Sequence, residues 1–334
     1  MSTAVVIAAP GEHRLTPHEP RRPDAGEALV RVHAVGICGS DREVYQGNRP
    51  EGYVRYPLTP GHEWSGTVEA VGAGVPSTLV GRKVVGEGFR NCQVCDRCHA
   101  GETTLCSAGY EETGFTQPGA MAGTLTLPAR LLHVLPDEAD LTAAALLEPA
   151  ACIAAAALRA NPRPGERTAV VGTGTLGMFA IQFLRANSPA ELLVVGSRPD
   201  RAALAEQFGA TDFRTKDEPL PDDFDVVIET AGSADAARTA TSLLRRGGRL
   251  VLTGIPAPGA AGLDPTDLVV RQLEVHTVFG APPDAWAYTV RVFGAGLLDP
   301  LALVTHELPL SEFPQAIELV GSGDPKVGKV LLRP

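Results

Sequence analysis

The chain has 334 residues, 44% hydrophobic and 20% charged, with 39 acidic against 29 basic side chains and a formal net charge of −10. That length predicts two domains, and the composition is that of a globular protein. The acidic excess argues against nucleic acid or an anionic membrane as partner, and no apolar run approaches the ~18 residues that crossing a membrane requires. The start, Met1 to Ile7, lacks the basic stretch and cleavage site of a secretory signal and reads as a β-strand, so a cytoplasmic location is expected.

Residues 1–150 read as β-rich. Short apolar runs at Ala28–Val32, Thr67–Val71, Gly81–Gly86 and Gly123–Leu127 lie between Gly- and Pro-containing turns, the pattern of an irregular β-barrel. From about 142 the chain becomes Ala-rich and helical. Strand and helix signals then alternate: a strand at Thr168–Val171, a helix from Met178, a strand at Leu192–Val195 and helical character over 201–208. Asp225–Glu229 is extended, 233–245 helical, Arg249–Thr253 extended, and Leu273–Val278 would be the last strand. Such alternation predicts a parallel sheet wrapped by helices over 151–284. A Pro/Gly-rich loop fills 254–265. The tail, 285–334, reads as one amphipathic helix and a closing strand at Lys329–Leu332 that returns to the first domain.

Four of the six cysteines, Cys92, Cys95, Cys98 and Cys106, fall within fifteen residues. In a reducing compartment this spacing points to metal, and four soft ligands from one short loop suit a closed, structural zinc site. A second set is split along the chain: Cys38, then His62 with Glu63, then Glu148. Mixed thiolate, imidazole and carboxylate ligation suits a catalytic zinc that keeps one position open. Singly, each of these residues has a plainer use as a core thiol, a satisfied histidine or a helix-end charge. Cys152, on the Ala-rich stretch, reads as a buried core residue.

The run Gly172-Thr173-Gly174-Thr175-Leu176-Gly177 follows a strand and opens a helix. This is a dinucleotide turn: Gly172 bends the chain, Gly174 admits a pyrophosphate, and Gly177 lets the helix pack closely, with the diphosphate at the helix N-terminus. At the end of the second strand, where an NAD-specific fold places an Asp or Glu, stand Gly196, Ser197 and Arg198, with Arg201 close behind. A hydroxyl and two guanidinium groups suit a 2′-phosphate, so NADP(H) is expected over NAD(H).

GICGSD at 36–41, PGHEWSG at 60–66, the cysteine quartet, LEP at 147–149 and GTGTLG at 172–177 together resemble the zinc-dependent medium-chain dehydrogenases of alcohols, polyols and amino-cyclitols. The resemblance covers nearly the whole chain. It implies a GroES-like β-barrel catalytic domain built from both chain ends, a doubly wound Rossmann domain between them, two zinc ions per chain, and a homodimer or homotetramer. By position it makes Cys38 and His62 ligands of the catalytic zinc, with Glu63 and Glu148 exchanging as third ligand. Asp41 orients His62, and Ser40 relays the proton of a substrate hydroxyl whose pKa zinc has lowered, while hydride passes to the nicotinamide. Many relatives carry a histidine where this chain has Glu43, so Glu43 passes the proton, or contacts a polar substrate, or the path differs. The GSRP run at 196–199 looks like that of bacterial NADP-dependent secondary alcohol dehydrogenases.

The expected substrate is a small alcohol or its ketone, of polyol, cyclitol or sugar-like character, with simple secondary alcohols or aldehydes as the alternative. Glu43, Glu111 and Glu112 are candidates to hold hydroxyl or ammonium groups, and Tyr45, Tyr53 and Trp64 are placed near the pocket. The rival from another class is a non-catalytic relative that keeps the fold without the chemistry.

Overall fold

The computed structural model describes residues 2–257 and 259–334; Pro258, within the expected Pro/Gly-rich loop, and Met1, in the expected first strand, lie outside them. The chain divides into two compact units, one formed by Met1–Glu148, Pro282–Gly294 and Asp299–Pro334, the other by Pro149–Ala281 and Ala295–Leu298.

The first unit is built on a seven-stranded sheet. Its path runs Val304–Pro309, Lys329–Arg333, Glu27–Ile37, Glu63–Val71, Lys83–Gly86, Leu132–Val134, with Thr124–Pro128 pairing Glu27–Ile37 off that path. Val304–Pro309 and Lys329–Arg333 are parallel; the other pairs are antiparallel. Glu27–Ile37 is the central strand because its Val and Ile side chains are nearly all buried, as a strand covered on both faces requires. Val5, Val35, Trp64, Phe115, Met121, Phe313, Val330 and Leu332 share one core, so both ends of the chain contribute to it.

The second unit holds a six-stranded, all-parallel sheet in the order Asp212–Thr215, Glu191–Gly196, Arg167–Val171, Phe224–Glu229, Leu244–Leu252, Glu274–Thr277. Numbered by sequence this is 3-2-1-4-5-6, the doubly wound dinucleotide-binding order. Ala169, Val171, Leu193, Val195, Val227 and Leu250 are buried in its core, as uninterrupted apolar runs lead one to expect of parallel strands.

The tail differs from expectation. Two helices, Pro283–Gly294 and Phe313–Gly321, replace the single one expected, and the strand Val304–Pro309 precedes the second. That strand is quiet in sequence because none of its residues is fully buried. The second helix starts at Phe313 with Pro314 in its first turn, where a missing N–H removes no helical bond.

Candidate functional site

The split set is assembled where three strands meet. Cys38 ends the central strand and caps the helix Gly39–Gln46; its N–H donates to Asp41 Oδ2 at 2.9 Å, while the Asp41 N–H returns a bond to the Cys38 side chain. This reciprocal cap fixes sulfur and carboxylate together. Glu63 opens the neighbouring strand opposite Gly36, where a β-carbon would lie 2.3 Å from Glu63 Oε2. Gly36 therefore makes room for the carboxylate. One ligand atom each from Cys38, His62 and Glu63 lies within 4.8 Å of the others, and His62 and Glu63 are buried.

Asp41, wholly buried, places Oδ1 3.5 Å from His62 Nδ1, which leaves Nε2 free to face a metal. Burial opposes charge on His62, but the Asp41 carboxylate, followed by Cys38, overcomes it and holds the imidazole well above its ordinary value. A half-buried thiol and a buried imidazole and carboxylate, converging within 4.8 Å of one another, fit a zinc ion. The Cys38 thiol also donates to Ser40 Oγ at 3.8 Å, bringing Ser40 to the edge of the set.

Glu148 lies outside the three-residue group. Burial pushes its carboxyl up to about 7, with Glu63 and Glu112 adding to the rise and His62 and Lys329 opposing it. The residue that sequence reasoning missed is Lys329. Its ammonium, buried at the start of the closing strand, pairs with both oxygens of Glu63 and donates to the Ile37 carbonyl at 3.3 Å. Burial lowers its pKa and Glu63 more than restores it, so the net displacement is upward. Glu63 is therefore held by a cation of the chain itself. The available signal was a lysine opening an otherwise apolar strand.

Glu43 is half exposed, with Oε2 3.7 Å from Arg49 Nη1. Glu111 is engaged by Arg55 at 2.8 Å and Gln117 at 2.8 Å, and Glu112 is buried and bonded by the Tyr110 hydroxyl. The expected pocket aromatics are corrected in part. Trp64 is a core residue, 2% exposed, and Tyr45 packs edge-on to Phe313 with its hydroxyl donating to the Gly11 carbonyl at 3.1 Å. Their apolar surface is worth more in the core than beside a polar cleft. Tyr53 packs against Tyr110 with the ring planes tilted by 51°. Cys152, expected in the core, is only partly buried.

The quartet is local. Cys95 caps the one-turn helix Asp96–His99, which carries Cys98, and a 3₁₀ turn at Thr103–Leu105 delivers Cys106. All four sulfurs lie within 4.8 Å of one another, and the Cys92 N–H donates to Cys106 Sγ at 3.4 Å. Hydrogen bonds from Ser107 bring Cys95 down to about 5, whereas burial pushes Cys98 up to about 11. Four sulfurs this close cannot all ionise unless a cation stands between them, so this set too fits zinc.

In the second unit Gly172 has φ +119°, and a β-carbon there would meet Thr230 Oγ1 at 2.4 Å. At Gly177 it would meet the Gly172 carbonyl at 2.0 Å, whereas beside Gly174 the space is open. Gly174 begins the helix Thr175–Arg185 without a side-chain cap, leaving the first-turn N–H groups without a side-chain acceptor. That opening fits a diphosphate. Beyond the strand Glu191–Gly196, Arg198 Nη2 donates to Asp200 Oδ2 at 2.8 Å, and Arg201 Nε is 4.0 Å from the same oxygen.

Residues 24–137 match the alcohol dehydrogenase GroES-like domain and residues 175–294 the zinc-binding dehydrogenase domain. An uncharacterized zinc-type alcohol dehydrogenase-like protein, YdjJ of Escherichia coli K12, is 30% identical over 95% of this chain and 94% of its own. An L-threonine 3-dehydrogenase of Coxiella burnetii is 29% identical over 93% of each chain. Among solved structures, a thermostable alcohol dehydrogenase from Pyrobaculum aerophilum is 32% identical with a TM-score of 0.89, covering 100% of this chain and 99% of its own. A protein of Sinorhizobium meliloti 1021, provisionally assigned as a zinc-binding dehydrogenase and bound to NADP, is 27% identical with a TM-score of 0.92, covering 100% and 99%. The chain belongs to the zinc-dependent medium-chain dehydrogenase family, with a GroES-like and a Rossmann domain, and is an oxidoreductase of that family. Among the described residues, no helix is long and apolar enough to cross a membrane.

Proposed function

We propose that the chain transfers hydride between a secondary alcohol of polyol, cyclitol or sugar-like character and NADP(H), using a zinc ion held by Cys38, His62 and one of Glu63 and Glu148. The observation that carries this reading is the convergence of Cys38 with the buried His62 and Glu63 within 4.8 Å, with Asp41 behind the imidazole. Zinc bound there supplies a Lewis acid that draws a hydroxyl pKa towards neutrality, and the nicotinamide supplies the hydride acceptor. The chain does the rest. Asp41 holds the imidazole so that only Nε2 is offered to the metal. Ser40 Oγ accepts the substrate proton, and Glu43, exposed on the next turn of the same helix, offers it a way to water. The quartet holds a second, structural zinc ion.

The NADP preference is supported by Ser197, Arg198 and Arg201 standing where an NAD-specific strand ends in a carboxylate, and by the NADP held in the Sinorhizobium protein. A hydroxyl-rich substrate is supported by a sorbitol dehydrogenase of Bacillus subtilis, 29% identical over 87% of this chain and 86% of its own. A second reading, simple secondary alcohols or aldehydes, is in keeping with the likeness to an alcohol dehydrogenase of Pyrobaculum. Metal analysis and turnover on polyols, amino-cyclitols and short secondary alcohols with both cofactors test the proposal. Two zinc ions per chain and faster oxidation of a polyol with NADP⁺ are expected; one zinc and no turnover would mark a non-catalytic relative.

A further inference from the structure

The structure around His62 continues into a second layer of unusual composition. Phe115 is 2% exposed, and its ring centroid lies 4.7 Å from that of His62 with the planes tilted by 39°. The guanidinium carbon of Arg49 sits 3.9 Å from the centre of the same phenyl ring, and the Arg49 side chain is only 9% exposed. A guanidinium buried against an aromatic face is tolerated only when its rim of N–H groups finds acceptors. Arg49 finds them. Nε donates to the Tyr53 carbonyl at 3.1 Å and Nη2 to the Tyr110 hydroxyl at 3.0 Å. The carboxylates of Glu43 and Glu112 flank Nη1 and Nη2 at 3.7 and 3.9 Å, and Tyr110 in turn donates to Glu112.

Four residues from different parts of the fold thus hold one cation over the ring of Phe115, whose own carbonyl is fixed by the Arg55 N–H at 3.0 Å. His62, for its part, is restrained at Nδ1 by Asp41, a contact that still allows the ring to swing about its own axis. The face of Phe115 restricts that swing. A lysine could lie over the ring too, but its single ammonium has no fork to reach the Tyr53 carbonyl and the Tyr110 hydroxyl from that place.

We propose that Arg49 is a positioning residue of the metal centre: by pinning Phe115 it fixes the plane of the His62 imidazole, and with it the direction of the nitrogen offered to the metal. The proposal rests on the reading of Cys38 and His62 as zinc ligands. Because Arg49 acts on the imidazole through Phe115, its removal should change the ligand geometry only while Phe115 is present.

The test replaces zinc by cobalt(II) at the Cys38/His62 site in the wild type, Arg49→Met, Arg49→Lys, Phe115→Leu and the Arg49→Met/Phe115→Leu double variant. The visible d–d band then reports ligand geometry independently of turnover. Arg49→Met is expected to retain two metals per chain, to shift the band, and to lower kcat about tenfold with KM little changed, the low end of the range for residues that support metal ligands. Added to Phe115→Leu, it should not shift the band further. A wild-type band and kcat in Arg49→Met, even with a lowered Tm, would overturn the proposal, as would an undiminished band shift in the Phe115→Leu background. If Arg49→Met does not fold, Arg49→Lys carries the test: it should shift the band, and a wild-type band overturns the inference. A wild type that binds no cobalt at this site overturns the zinc reading itself and the inference with it, an outcome distinct from a wild type that binds it and is indifferent to Arg49.

Discussion

The two cysteine-bearing sets of the first unit differ in how they are made. The quartet draws all its sulfurs from 92–106, from turns that need no help from the sheet, and every member is partly exposed. The Cys38/His62/Glu63 set buries two of its three members, His62 and Glu63, combines three chemistries, and depends on a lysine 266 residues beyond Glu63. A closed site needs only ligands at the right spacing, so sequence determines it locally. An open site must be held against collapse by groups that are not ligands, here Asp41, Lys329 and Phe115, and those come from the fold. If that contrast is right, damage to the first set should appear as lost local stability, and damage to the second as lost chemistry.

The largest effect should follow Cys38→Ala or His62→Ala. Each is expected to remove one of two zinc ions and abolish turnover while the Tm moves by only a few degrees, as metal analysis and calorimetry would record. A zinc-depleted Cys38 variant with full activity would sink the mechanism. Next comes Lys329→Met, which leaves the Glu63 carboxylate buried without its cation at a cost of about 3–5 kcal/mol. Adding Glu63→Gln should recover much of the loss, and denaturant melts of the single and double variants test this. The pH dependence has a definite sign. Lys329 is raised from 10.5 in the folded protein, so its stabilisation is complete below that value and is lost only as pH rises beyond it through the folded value. The gap between wild type and Lys329→Met should therefore stay constant through neutral pH and narrow only in strong alkali.

Cys95→Ser should act more weakly and differently. The substitution should loosen the segment 92–106, and a cost of about 2 kcal/mol corresponds to a Tm lowered by roughly 4–8 °C. Turnover at low temperature should survive in part. Equal losses of turnover from Cys95→Ser and His62→Ala would erase the distinction between the two sets.

What the sequence revealed follows the same division. The quartet, the glycine turn and the parallel strands are local patterns, and each lies in the structure where its spacing placed it. Cys38, His62 and Glu63 were legible because each sits in a short distinctive phrase, but their supports were not. Lys329 and Arg49 look like ordinary surface cations until the fold buries them, since nothing local distinguishes a lysine at a strand start from a solvated one. Trp64 misled for the opposite reason: it adjoins Glu63 in sequence, yet lies in the core as one of its largest members. The strand Val304–Pro309 escaped because its partner, Lys329–Arg333, carries the apolar residues.

The smallest predicted effect lies in the second unit, where a local pattern and its surroundings pull in opposite directions. Ser197, Arg198 and Arg201 suit a 2′-phosphate, yet Arg198 already donates to Asp200, whose carboxyl it holds below the ordinary carboxylate range. Asp200 is thus ionised at neutral pH and competes for the guanidinium that a phosphate would need. Arg198→Ala should raise KM for NADP(H) about tenfold, the size of one charge-assisted contact, while leaving NAD(H) nearly unchanged. Asp200→Ala should do the reverse, lowering KM for NADP(H) by releasing Arg198 and removing a like charge from the phosphate. Initial rates with both cofactors decide between the readings. Equal effects of Arg198→Ala on the two cofactors would mean that Asp200 keeps its arginine and that the apparent phosphate site is only a capped helix start.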